Sequence, residues 1–279
     1  MTMNEAIEKF KHQASYRMKP SSIQTYGYLL VQLGESFGSQ ELNQIQPEEI
    51  RFFLDRITHH RKQNTKHMRF TQLKAFFNYC INVLKVGMTN PCKDEIISKS
   101  YRVAKLPQKN ILPKEIMDEV IYKTAELRDR LIIELQARSG LRIGEVLKLR
   151  ACDLDGRKLT LMTPKSGNEN ELAFLPTTLA ERLKNYIVAN HIQPDNRIFG
   201  MSYSGARYIV KSAGERSGVH LRPHDLRRHS ATYASRNGVP LEVISKMILR
   251  HQDLKTTQVY LGKITDSEAL QWMDSLHGK

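Results

Sequence analysis

Apolar positions in the first hundred residues recur with a helical period. Ser21-Ser22 precedes Ile23, Tyr26, Leu29, Leu30 and Leu33, the i, i+3, i+4, i+7 spacing of one helix face, with Gly34 and Gly38 near its end. Gln46-Pro47-Glu48-Glu49 is a helix start: proline sits where no intrahelical N–H bond is lost, and acids face the positive end of the helix dipole. Phe52, Phe53, Leu54 and Ile57 follow it. Asn64-Thr65 opens a third pattern through Met68, Leu73, Phe76, Phe77 and Ile81, and Asn90-Pro91 closes the block. No strand pattern interrupts these runs, so residues 1–103 are expected to form a small helical bundle.

The periodicity then fades. Ser98 to Asn110, with Arg102, Lys105, Pro107 and Lys109, reads as connecting chain, with the linker proper placed at 104–111. Pro113 starts a new helix and a second domain, 112–279. There Leu159-Thr160-Leu161 and Leu172-Ala173-Phe174-Leu175 are short and β-prone. The turn-rich run Pro164-Lys165-Ser166-Gly167-Asn168-Glu169-Asn170 lies between them, which predicts a hairpin with Lys165 at its tip. The rest is helical, punctuated at Gly140, Gly218, Gly238 and Pro240, and Thr265-Asp266 introduces a last amphipathic helix with Leu270, Trp272, Met273 and Leu276. The expected class is mostly α, in an α+β arrangement: a helical bundle, then a mixed domain of helices with a small antiparallel sheet.

Charge changes the picture. The 279 residues carry a formal net charge of +14, and residues 51–110 hold thirteen Lys or Arg against three acids. Such an excess repels itself and usually serves an anionic partner, whether nucleic acid, an anionic membrane or an acidic protein. No apolar stretch approaches the roughly 20 residues that span a bilayer, and Met1-Thr2-Met3-Asn4-Glu5 lacks the regions of a signal peptide. A cytoplasmic protein with no membrane partner is expected. Cys80, Cys92 and Cys152 are odd in number and far apart, as reduced thiols would be.

Candidate chemistry lies in the second domain. Neither a phosphate-cradling glycine loop nor a metal-ligand spacing is present, so no cofactor and no metal are expected. In Arg222-Pro223-His224-Asp225-Leu226-Arg227-Arg228-His229, a helix opened by Pro223 puts His224 and Arg227 on one face. An imidazole beside a permanently charged fork suits a phosphate. Ser139-Gly140-Leu141-Arg142-Ile143-Gly144-Glu145 breaks and restarts a helix, and Arg250-His251 stands nine residues before Tyr260. Each of these alone is also what a solvated charge or a packing residue looks like.

Their order is more specific. Gly-Leu-Arg-Ile-Gly-Glu, a hairpin lysine, His-Asp-Leu-Arg-Arg and His-x8-Tyr together resemble the tyrosine recombinase, or phage integrase, family across 112–279, in a compact Xer-like form without an arm-binding domain ahead of residue 1. Residues 1–103 resemble its helical, SAM-like core-binding domain. The resemblance implies roles. Arg142 and Arg227 clamp the scissile phosphate. His224 accepts a proton or binds phosphate, and His251 takes the third phosphate-binding position as a cation. Lys165 is the general acid, Tyr260 the nucleophile, and Glu145 orients Arg142. Arg228 and Arg250 are carried as supporting or DNA-contacting positions. The family usually has glycine before the third histidine; here Arg250 must adopt a tight turn at some cost or change it.

The resemblance further implies a 3′-phosphotyrosine intermediate, a Holliday junction, an inverted-repeat core site in duplex DNA, and a tetramer on that DNA linked by exchange of the helix 265–279. Integration, excision or dimer resolution would be the outcome. Two other readings compete. Residues 224–250 have the helix-turn-helix outline of a non-catalytic regulator, and a type IB topoisomerase would share the chemistry. A basic RNA-binding protein lacks a recognisable RNA motif.

Overall fold

The structure is a computed structural model that describes residues 1–103, 112–162, 170–261, 270 and 272–275. The chain divides into two compact units, Met1–Pro107 and Gln108–Lys279.

The first unit contains helices α1 (Met3–Arg17), α2 (Pro20–Phe37), α3 (Pro47–Ile57), α4 (Gln63–Asn82) and the short α5 (Glu95–Ser100). Helix α1 was not anticipated, although its signals stand in the sequence. Thr2 and Glu5 form a capping box, and Met3, Ala6, Ile7, Phe10 and Ala14 are its buried face. Phe10 is the centre of the bundle, with ring centroids 5.2 Å from Tyr26, 5.4 Å from Phe76 and 5.1 Å from Tyr79. Burying each such side chain contributes about 1.5–3 kcal/mol. The apolar stripe of α3 is narrower than expected, since Phe53 is buried but Phe52 is 65% exposed. The connecting chain also begins later than Ser98. Helix α5 runs to Ser100, and Tyr101 is buried against the bundle with its hydroxyl on Asp55 Oδ1 at 2.6 Å. The expected linker 104–111 lies outside the described residues.

The second unit opens with α6 (Lys114–Tyr122), α7 (Leu127–Ser139) and the single turn α8 (Ile143–Val146). An antiparallel sheet follows: β1 (Leu154–Asp155), β2 (Lys158–Met162) and β3 (Asn170–Phe174), in that spatial order. The β2–β3 pairing matches the predicted hairpin, with Leu159 opposite Ala173 and Leu161 opposite Glu171. Period-2 alternation turns Leu159, Leu161 and Ala173 inward and leaves Leu172 and Phe174 exposed. β1 is too short to show a pattern in the sequence. Helices α9 (Thr177–Ala189), α10 (Tyr203–Arg216) and α11 (Pro223–Arg236) complete the scaffold, and α11 packs along α7.

Gly238 (φ +80°) then turns the chain into α12 (Leu241–Val243), which widens into a π-turn, Ile244–Ile248, before α13 (Leu254–Tyr260). Leu249 N–H donates to Ile244 O at 2.8 Å, the i to i−5 bond that defines the wide turn. The helix-turn-helix outline therefore lacks a regular second helix. Of the last predicted helix, residues 272–275 are helical, and Trp272 reaches within 3.2 Å of where a side chain on Gly238 would begin.

Candidate active site

The site starts where α7 stops. Gly140 takes φ +63°, and a Cβ there would stand 2.7 Å from Ile248 Cγ2 and 2.9 Å from Ile248 O. Both the left-handed backbone and the close approach require glycine. The chain re-enters a helix two residues later, with Arg142 at the N-cap of α8. Glu145, one turn on, accepts the Arg142 N–H at 2.7 Å and the Arg142 Nη1 at 2.5 Å. The guanidinium is thus aimed by its own helix turn.

The second arginine comes from α11. Pro223 sits in its first turn, and Asp225 accepts the Arg222 N–H at 3.1 Å and Nε at 3.0 Å, fixing the start. His224 is exposed on the first turn. Arg227, three residues on, is only 1% exposed and donates to two backbone oxygens, Gly140 O and Leu249 O. A buried guanidinium needs such acceptors, because leaving its donors unmade costs more than the bonds return in water. Arg227 thereby joins the end of α7 to the turn that follows the π-turn.

That turn carries Leu249, Arg250 and His251. Arg250 accepts the left-handed conformation, φ +50°, at about 1–2 kcal/mol for a residue with a Cβ. Its side chain points inward: Nη2 donates to Glu145 Oε2 at 2.8 Å, and Nη1 donates to Ile248 O at 2.9 Å. Burial pushes the Glu145 carboxyl up, but Arg250 and Arg142 outweigh it and hold it below the usual carboxylate range. The Arg250 side chain is therefore an interior one. Arg228, next to Arg227, is half-buried.

His251 N–H donates to Ser245 O at 2.9 Å. Its Nδ1 lies 3.0 Å from Thr257 Oγ1, whose hydroxyl donates to Ser245 Oγ at 2.9 Å. Burial, then Arg227, Arg142, His224 and Arg250, push the His251 imidazole down to about 4. Burial first, and the neighbouring guanidiniums after it, thus favour a neutral imidazole where a cation was expected.

A cleft of about 520 Å³ brings Arg142, His224 and Arg227 together beside Glu145. Lys148, Arg207 and Arg222 also line it, a set of cations the motifs did not single out. Their only sequence signal is position: Arg222 immediately precedes the motif of α11, and Arg207 lies one turn into the helix before it. Of the other expected site residues, Lys165 lies outside the described residues, and Tyr260 is described only as the last backbone position of α13. Fixed guanidiniums around a cleft can hold a tetrahedral or pentavalent phosphorus oxyanion.

Comparison with known proteins agrees. Residues 106–265 match the model of the phage integrase family. A tyrosine recombinase of Pseudothermotoga lettingae is 30% identical over 215 residues, 75% of this chain and 73% of that protein. XerA of Thermococcus onnurineus is 26% identical over 274 residues, 92% of this chain and 90% of its own length. Among solved structures, the fold is shared with the Tn1549 transposon integrase in complex with transposon right-end DNA (TM-score 0.74, 15% identity, 99% of each chain). It is also shared with a lambda integrase dimer bound to a core site (TM-score 0.73, 17% identity, 94% of this chain and 95% of that one). The family match covers more than half of the sequence and takes in the whole cleft, and with it the chain belongs to the phage integrase family, as a tyrosine recombinase.

Proposed function

We propose that this protein recombines duplex DNA at a specific site through a covalent bond between Tyr260 and a DNA 3′-phosphate. The observation that carries the reading is the arginine pair. Arg142 and Arg227 come from separate helices, line one cleft with His224, and each is fixed by a carboxylate or by backbone carbonyls.

In the first step the Tyr260 phenolic oxygen attacks phosphorus, the bond from phosphorus to the 5′-oxygen breaks, and a 3′-phosphotyrosine forms. A free phenol near pKa ~10 is a poor nucleophile at neutral pH. His224 is suited to receive its proton. Lys165 protonates the departing 5′-oxygen. Negative charge gathering on the non-bridging oxygens meets Arg142 and Arg227, each such donor being worth roughly 3–4 kcal/mol. In the second step a 5′-hydroxyl from another strand attacks the phosphotyrosine and releases Tyr260, so bond energy is conserved. Two rounds of exchange pass through a Holliday junction.

The integrases solved with transposon right-end DNA and with a core site support DNA as the substrate, and an inverted-repeat core in duplex DNA is the form of it that this reading takes. The basic residues of 51–110 add phosphate contacts from the core-binding domain, and four protomers assemble on the site. Affinity then falls steeply with added salt. Deleting residues 264–279 weakens assembly on DNA more than binding by one protomer.

The deciding experiment mixes the protein with nicked target DNA and looks for an SDS-resistant adduct, then repeats it with Tyr260→Phe. An adduct that Tyr260→Phe abolishes supports the reading. Strand breaks with no protein attached, or no adduct at all, overturn it.

A further inference from the structure

The charged interior around Arg250 extends beyond the phosphate cleft. Arg250 Nε faces Glu171 Oε2 on β3 at 3.6 Å, while its Nη2 holds Glu145 on α8. The Arg250 side chain is 3% exposed, and both carboxylates are 11% exposed. Arg142 Nη2 in turn donates to Arg250 O at 3.5 Å. One guanidinium therefore stands between two nearly buried acids, each of which would be costly to leave unpaired in a poorly solvated space. Glu171 lies on the strand directly after residues 163–169, where Lys165 lies in the sequence. A glycine at 250 would satisfy the backbone, so the side chain is there for another reason.

We infer that Arg250 is a positioning residue for strand cleavage: it ties β3 to the Arg142–Glu145 pair, so that the lysine of the hairpin and the arginine clamp address the same phosphate. The inference rests on the recombinase reading above. A buried ionic bridge adds little net stability, so its use lies in geometry. A general acid must stand within hydrogen-bond reach of the oxygen it protonates, and a misplacement of about 1 Å can cost about a hundredfold in rate.

The test compares the full-length protein with Arg250→Gly, which keeps the left-handed turn and removes the side chain that reaches Glu145, Glu171 and Ile248 O. Two readouts are taken. Hydrogen exchange of the free protein follows the amides of 170–174. Single-turnover cleavage is measured on a substrate with the ordinary 5′-oxygen and on one with a bridging 5′-sulfur, whose leaving group needs no proton. The expected result is exchange at least tenfold faster in β3 with α9 unchanged. Cleavage of the oxygen substrate falls at least tenfold, DNA affinity stays within twofold, and most of the loss disappears on sulfur. Arg250→Lys recovers part of both, and Glu171→Ala, which cuts the other end of the tie, reproduces the sulfur-dependent loss. Unchanged exchange at 170–174, or an equal loss on both substrates, overturns the inference. A wild-type protein that forms no adduct overturns the recombinase reading and the catalytic use of the tie together, and the exchange result then still decides whether the tie exists.

Discussion

The two units bury different chemistry. Among the described residues of Met1–Pro107, the buried polar side chains are Thr58, Gln72 and Asn90, none of them ionised. Each is answered locally: Thr58 donates to Leu54 O at 2.6 Å, and Asn90 donates to Lys74 O and Asn78 Oδ1. The unit Gln108–Lys279 instead buries Glu134, Arg227 and Arg250. Burying a charge costs several kcal/mol unless partners surround it. Among its described residues the bundle buries no Lys or Arg completely: Arg51 lies over Phe52 at 5.3 Å, and the half-buried Arg69 lies over Tyr28 at 4.6 Å. Affinity for a polyanion needs only surface charge. Stabilising a charged transition state needs charge that is already fixed, and that requires burial.

The contrast is sharpest at its most buried cation. Arg227→Ala is expected to slow cleavage about 10²–10³-fold. It also leaves Gly140 O and Leu249 O without their donor, at about 1–3 kcal/mol each. Single-turnover cleavage and denaturant unfolding read the two effects, and a variant that loses only rate would mean that the buried charge has no structural part. The matching change in the bundle is Phe76→Ala, expected to cost about 3–5 kcal/mol. Its cleavage rate at saturating DNA should stay within a few-fold of wild type, and a large loss of that rate would erase the division of labour.

A smaller effect is expected from Gly140→Ala, about 1–3 kcal/mol for the strained backbone alone, because the new methyl also meets Ile248. Thermal unfolding measures it. The smallest concerns pH. The folded protein holds His251 at about 4 against 6.5 when unfolded, so the unfolded chain binds a proton between those values that the folded one does not. That contribution is fully present above pH 6.5 and is lost as pH falls toward 4. A bound phosphate favours the protonated imidazole and reverses the preference. DNA affinity should therefore rise as pH drops from 7.5 to 5.5, by up to about tenfold per unit. Titrations with His251→Gln should lose that part of the slope, and an identical slope in the variant would remove His251 from the phosphate site.

Most of this was legible where the signal is periodic or carried by a motif. The amphipathic faces of α2, α3 and α4, the β2–β3 pairing and the break at Gly140 follow from local spacing. Helix α1 gives a weak periodic signal because two of its five buried positions are alanines, Ala6 and Ala14, which carry little hydrophobic contrast. Helix α5 lies beyond Asn90-Pro91, where the periodic signal ends, and Lys99 and Arg102 look like solvated linker, while Tyr101 between them closes on Asp55, 46 residues away. The site divides in the same way. Arg142, His224 and Arg227 belong to motifs that name them. The neutral state of His251 and the partners of Arg250 depend on residues brought together from far along the chain, Glu145 being 105 positions from Arg250. A missing glycine marked position 250 as unusual but could not say which way its side chain would turn.

The π-turn Ile244–Ile248 makes chain length, more than residue identity, the sensitive quantity in this segment. Each helical residue advances the chain by about 100°. Removing one residue from the turn would close it into a regular helix and swing Leu249, Arg250 and His251 by that angle, unhooking Arg227, Glu145 and Ser245 in a single event. Substitutions within 244–248 touch these contacts one at a time. A deletion scan should therefore find a sharp intolerance here.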